Sequence, residues 1–234
     1  TARMQQTRAT LFDVADRVEA AAVPSEHVEL AARLPSRLRL GTMSWSFSGW
    51  RGIVYAPLAD LSRLADEGLA AYAANPLLGA VEIDRSYYDP LPSHVFRRFA
   101  DQVPDDFRFL VKAHQDCTIQ RFPLHGRHGK KGGRDNPRYL DAAYATDLVV
   151  GPTREGLGAK LGVLLFQFSP EELGPPPVFA DRLRTFLASL PRGVTYAVEL
   201  RKRELLTSAY AAALEEAGAV HCHNAWSDMP SVLE

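Results

Sequence analysis

Two acids and two bases recur at the ends of apolar runs in this chain, and together they could perform acid–base chemistry. Glu82 lies in Gly-Ala-Val-Glu-Ile-Asp (79–84) and Glu199 in Ala-Val-Glu-Leu-Arg (197–201). Lys112 closes Phe-Arg-Phe-Leu-Val-Lys (107–112). Successive side chains of a strand point to opposite faces. Val81 and Ile83 therefore share one face, and Glu82 and Asp84 the other. The same alternation sets Lys112 and His114 against Phe109 and Val111, and Gln167 against Phe166 and Phe168. It also sets Glu199 and Arg201 against Val198 and Leu200, and puts His221 and His223 on one face with Cys222 on the other. Two carboxylates in a low-dielectric site, with Lys112 or Arg201 beside one of them, can be driven to different pKa values, one acid and one base. Lys112 itself could serve as a Schiff-base nucleophile if burial lowers its pKa.

Each position also has a plainer reading. Glu82–Lys112 and Glu199–Arg201 could be ion pairs that fill a layer of the core, although burying charge costs several kcal/mol even when it is paired. Trp45 and Trp50 follow the first apolar run and Tyr87 and Tyr88 the second. They could stack on a substrate or simply bury area. His221 and His223 could place two imidazoles on a divalent metal, but that spacing is too common to be specific. The segment 121–138 carries six cations against one acid, Asp135. It reads as a long, mobile surface loop, in which Arg127, Lys130 and Lys131 could clamp phosphate. Its Gly-Lys-Lys-Gly-Gly lacks the spacing of a P-loop.

The elements that must position these residues alternate. Strand patterns fall at 37–43, 79–84, 106–114, 161–168, 193–200 and 218–224. Helical patterns fall between them at 57–74, 92–102, 137–150, 177–190 and 204–217. Alternating strands and helices argue for an α/β fold with a parallel sheet. The first strand runs into Trp-Ser-Phe-Ser-Gly-Trp (45–50) rather than a glycine-rich phosphate loop, which disfavours a doubly wound sheet. The expected architecture is a TIM-type (β/α) barrel over residues 37–234, preceded by a helical extension at 1–36. Such a barrel takes eight strands and about 250 residues. Six visible strands predict that the last two units lie beyond Glu234, and the absence of an initiator Met predicts residues before Thr1.

Composition bounds the rest. The chain has 234 residues, 46% hydrophobic and 24% charged, with a net charge of −1. No global field would draw it to nucleic acid or an anionic membrane. Two cysteines, Cys117 and Cys222, make no disulfide framework, and a reducing cytoplasm fits best. No apolar run has membrane length, and the first ten residues do not form a signal peptide. Oligomeric state is not legible.

Six ordered motifs carry a family resemblance. They are Gly-Thr-Met-Ser-Trp-Ser-Phe-x-x-Trp (41–50), Val-Glu-Ile-Asp-x-Ser-Tyr-Tyr (81–88), Phe-x-Phe-x-Val-Lys-Ala (107–113), Leu-Gly-x-Leu-Leu-Phe-Gln-Phe (161–168), Val-Glu-Leu-Arg (198–201) and Asn-Ala-Trp-x-x-Met-Pro (224–230). From about residue 39 onward the chain resembles the YecE-like family, also called domain of unknown function 72. The resemblance implies a TIM barrel, a continuation past this sequence, and no agreed activity. Met43 stands where the family usually has a small residue, and Asp84 where Asn is common. Carried over position by position, the resemblance points to Trp45, Glu82, Tyr88, Lys112, Gln167, Glu199, Arg201 and Asn224, with Trp226 beside the last.

Three functions follow as expectations. The first is an enzyme, a hydrolase or lyase, acting on a phosphorylated or sugar-containing small molecule. Glu82 and Glu199 would be its acid–base pair, with Lys112 and Arg201 holding an anionic group. The second is a nucleic-acid-binding protein or nuclease that uses the basic loop. The third is a non-catalytic scaffold for a ligand or partner. No cofactor is strongly implied, and a divalent metal remains open.

Overall fold

The computed structural model describes residues 18–124, 128–171 and 173–231. Its contacts divide the chain into two units, residues 1–79 and 80–234.

In the first unit, Pro24 precedes α1 (Ser25–Arg33), which buries none of its side chains. A proline tolerates the position ahead of a helix because no intrahelical bond needs its missing N–H. β1 (Leu40–Thr42) is followed by a 3₁₀ turn at Ser48–Trp50 and by α2 (Leu64–Ala73). Thr42 Oγ1 lies 2.9 Å from the Tyr72 hydroxyl, which ties the end of β1 to α2. Trp45 is 5% exposed, and its indole N–H donates to the Leu64 carbonyl at 3.0 Å.

The second unit is a parallel sheet with helices on one face. β2 (Leu78–Ile83) begins at the end of the first unit. It is followed by α3 (Arg85–Tyr88), α4 (Ser93–Ala100), β3 (Arg108–Lys112), α5 (Ala142–Ala145), α6 (Gly151–Leu157), β4 (Leu161–Phe168), α7 (Pro176–Ser189), β5 (Tyr196–Leu200), α8 (Ser208–Ala217) and β6 (Val220–His221). β2 through β6 pair in chain order, each parallel to the next. A parallel connection needs a crossover, and the intervening helices supply it. Among the described residues no helix is long and apolar enough to cross a membrane.

Register decides which side chains share a face. Phe109 opposes Leu161, but Leu110 opposes Val163, so Gly162 is the extra residue of a bulge. A Cβ on Gly162 would lie 3.2 Å from the Arg108 side chain and from the Phe109 carbonyl oxygen. Beyond that bulge, Phe166, Phe168, Val198 and Leu200 pack with Leu183, Phe186, Tyr210 and Leu214 of the helices. The other face carries Glu82, Lys112, Gln167 and Glu199, all toward the C-terminal ends of their strands.

The helical stretch expected at 137–150 instead runs on to Leu157. A π-helical turn at Thr146–Val150 leads into α6, with Pro152 in its first turn. α6 packs closely on α4 at Gly156, where a Cβ would fall 2.4 Å from both Phe96 Cβ and the Ser93 carbonyl oxygen. Neither atom is the end of a flexible side chain. Gly156→Ala is therefore expected to destabilise the protein by about 1–3 kcal/mol through overpacking. A urea titration would read this as a lowered midpoint, and an unchanged midpoint would show that the two helices slide apart freely.

Candidate functional site

Three residues form the centre of the polar face. Lys112, with a side chain 8% exposed, places Nζ 2.6 Å from Asp84 Oδ1 and 3.0 Å from Glu82 Oε1. The bond to Asp84 is well aligned. Nζ approaches Glu82 from the other side, so the buried Glu82 Oε1 has the Lys112 ammonium as its close partner. Lys112 also stands 5.6 Å from the centre of the Tyr87 ring. Ser86, from α3, places its hydroxyl 2.9 Å from the Ile83 carbonyl and 2.7 Å from the Lys112 carbonyl, which fixes the ends of β2 and β3 together.

The electrostatics of this triad are unequal. Burial is the largest influence on the Glu82 pKa and raises it, Lys112 lowers it by its charge and hydrogen bond, and with the charges of Asp84 and Glu199 added the pKa is raised. Burial alone would lower the Lys112 pKa. The hydrogen bond to Asp84 and the charge of Glu82 outweigh burial, so Lys112 is raised and held as an ammonium. That corrects the expectation of a lysine made nucleophilic by burial, since a Schiff-base lysine needs a neutral amine.

Glu199, 6% exposed, is fixed by donors on both oxygens. Gln167 Nε2 donates to Oε2 at 2.6 Å, Arg201 Nε to Oε1 at 3.0 Å, and Asn224 Nδ2 to Oε1 at 3.3 Å. Gln167 and Glu199 are register partners, so the bond crosses directly between β4 and β5. Asn224 also donates to the Leu200 carbonyl at 2.8 Å, and its Oδ1 accepts from the Trp226 amide at 3.1 Å. The Arg201 guanidinium lies 4.7 Å from the Trp226 ring centre.

His114 belongs to a separate cluster. It is 7% exposed, lies 3.2 Å from the Tyr88 carbonyl through Nε2 and bonds the Tyr144 hydroxyl at 2.8 Å through Nδ1. A carbonyl can only accept, so Nε2 carries the proton and Tyr144 donates to Nδ1. Burial lowers the His114 pKa, which keeps the ring neutral. His114 thus positions the Tyr88 backbone and is not a free base at the mouth. Tyr88 itself is 37% exposed, and its ring meets Tyr87 edge-on at 5.2 Å.

The basic segment is built rather than loose across its described residues. Phe122 N donates to the Arg134 carbonyl, Gly133 N donates back to the Phe122 carbonyl, and Asn136 Nδ2 donates to the Asp116 and Ile119 carbonyls. Lys131 Nζ and Arg138 Nη1 stand 3.8 Å and 3.7 Å from the buried carboxylate of Asp116. Among the described residues no hydrogen bond or ion pair joins Lys130 or Lys131 to Glu82, Lys112, Glu199 or Arg201. Arg127 lies outside the described residues.

A family model described as protein of unknown function DUF72 matches residues 39–232. The chain belongs to this family. A DUF72 family protein from Thermotoga maritima MSB8 has a similar fold, with a TM-score of 0.51 and 22% identity over 77% of this chain and 62% of that one. A DUF72 family protein from Enterococcus faecalis V583 matches with a TM-score of 0.47 and 19% identity over 78% of this chain and 61% of that one. The chain thus spans about three fifths of the length of these structures. Comparison with curated protein sequences finds no match.

In this DUF72 chain the last strand keeps the alternation expected for it but turns the opposite face to the polar side. Val198 is the register partner of His221, and Cys222 N donates to the Val198 carbonyl at 2.8 Å. His221 therefore shares the helix-facing side with Val198, where its Nδ1 lies 2.8 Å from the Tyr210 hydroxyl. His223 stacks edge-on against it at 4.8 Å. Among the described residues no group of three His, Cys, Asp or Glu is placed to hold a metal. Cys222 is the residue on the polar side. Burial raises its thiol pKa, and the charges of Glu199 and Glu82 raise it further. Trp45 is likewise corrected, since a 5% exposed indole in the core of the first unit cannot stack on a ligand. Trp50 sits in that unit too, its ring 6.1 Å from Tyr72 and lining a 460 Å³ cavity with His27, Thr42 and Asn75.

Proposed function

We propose that this DUF72 protein is an acid–base enzyme, a hydrolase or lyase acting on a sugar-containing or phosphorylated small molecule. In this reading the parallel sheet is part of a (β/α) barrel over residues 37–234, and the polar face is the barrel's interior. Active sites of such barrels lie at the C-terminal ends of the strands. One observation carries the proposal: Glu82 and Glu199 stand on one face in opposite environments. Glu82 is buried against Lys112 and is pushed toward its protonated form. Glu199 accepts from three donors and is arranged as a carboxylate. Glu82 is the proton donor and Glu199 the base or charge stabiliser, a division of labour that two carboxyls with unlike partners can support. Lys112 and Asp84 orient Glu82 and tune it. Tyr87 and Trp226 supply faces for the substrate.

The test is release of nitrophenol from a panel of neutral and 6-phosphorylated nitrophenyl glycosides. The rate should fall as pH rises through the raised Glu82 pKa, because only the protonated form can donate. Asp84→Asn removes a charge that raises Glu82 and leaves Lys112 to pair with Glu82, and both effects lower its pKa. The alkaline limb is expected to move to lower pH in that variant. A limb that stays in place would assign it to another group, and no release across the panel would sink the enzymatic reading.

A further inference from the structure

The charges at the polar face do not suit an anion. Glu82, Asp84 and Glu199 supply three carboxylates against two cations, Lys112 and Arg201. Glu171 stands close enough for its charge to act on Tyr87, which adds a further acid at the rim. Lys112 is bound between two of the carboxylates, and the charge of Arg201 is balanced by Glu199. Even with Glu82 protonated, no surplus positive charge remains. An arriving phosphate would have to compete with carboxylates already seated 2.6–3.0 Å from these cations.

What the face offers a ligand is mainly acceptors, the carboxylates of Glu82, Asp84 and Glu199. Glu82 Oε1 is buried, with the Lys112 ammonium 3.0 Å away. A ligand hydroxyl or ammonium can donate to the carboxylate oxygens that Lys112 and Arg201 leave uncovered. Trp226, 41% exposed beside Asn224, offers an aromatic surface that pairs with the C–H faces of a polyol.

We propose that this site takes an uncharged or cationic polyhydroxylated ligand, a sugar or amino sugar, and discriminates against the phosphorylated form of the same molecule. The inference rests on the acid–base reading for the location of the site, and it narrows the substrate class from the two named there.

The experiment is equilibrium binding by calorimetry to the whole chain at low salt. Glucose, galactose, ribose and glucosamine are compared with glucose 6-phosphate, galactose 6-phosphate, ribose 5-phosphate and glucosamine 6-phosphate. At least one unphosphorylated sugar should bind about tenfold tighter than its phosphate, with the gap narrowing as salt screens the repulsion. Asp84→Asn should also narrow it, by removing one of the carboxylates. A phosphate that binds tighter than its parent sugar overturns the inference, as does a panel in which nothing binds. Because binding needs no turnover, sugar binding with this preference but no nitrophenol release would remove the catalytic reading alone.

Discussion

Glu82→Gln is expected to lower turnover of any glycoside the protein cleaves by at least about 100-fold, with its thermal midpoint close to that of the parent. A positioned general acid contributes about 10²–10⁴-fold, and an amide of the same shape cannot supply the proton. The fold should tolerate the change because Lys112 keeps its 2.6 Å bond to Asp84. Removing a carboxylate that burial already disfavours also relieves a cost. Glu199→Gln should lose activity as well, but less cleanly. One of the two Glu199 oxygens would become an amide NH2 group facing a donor, either Gln167 Nε2 or the Arg201–Asn224 pair. That leaves a buried polar group unpaired, at about 1–3 kcal/mol. Steady-state rates and thermal denaturation of both variants separate the roles. A Glu82→Gln protein with the parent rate would falsify the assignment of the proton donor.

The mouth residues were legible because four strands are long enough to show alternation. Val-Glu-Ile, Leu-Val-Lys, Phe-Gln-Phe and Val-Glu-Leu each set one polar side chain among apolar neighbours, and the register places those side chains on one face. The last strand has only two paired residues, Val220 and His221, too few for a period to emerge. Its facing is set by hydrogen bonds to β5, which a sequence pattern does not record. His221 could turn toward the helices because Tyr210, on α8, supplies a polar partner there. His114 misled for a related reason. Alternation from Lys112 says nothing of the group that claims it, Tyr144, which lies 30 residues away across the basic segment. Trp45 illustrates a limit of residue type. An aromatic side chain after a strand serves a core or a ligand equally well, and only its neighbours decide.

Lys112→Met is expected to be the most destabilising single change at the site, costing about 3 kcal/mol. Breaking a buried ion pair by removing one partner typically costs about 3–5 kcal/mol, because the remaining charge has no compensation. Here two carboxylates would be stranded, and the lower end of that range applies because the Asp84 side chain is 29% exposed and can still reach water. The dependence on pH distinguishes this cause from lost packing. Without Lys112, the Glu82 carboxyl would have a folded-state pKa still further above its unfolded one. The penalty is then fully present above the raised value and fades as pH falls toward about 4, where the unfolded carboxyl also protonates. Denaturant unfolding of parent and variant at several pH values should show the gap closing on the acid side. Adding Glu82→Gln to Lys112→Met should recover part of the loss at neutral pH, since it removes the more buried of the two stranded charges. A gap that is constant with pH, and untouched by Glu82→Gln, would mean that the methylene stem of Lys112 stabilises the fold and its charge does not. The triad would then be no tuned acid, because the charge that the Glu82 proton has to balance would have no hold on the structure.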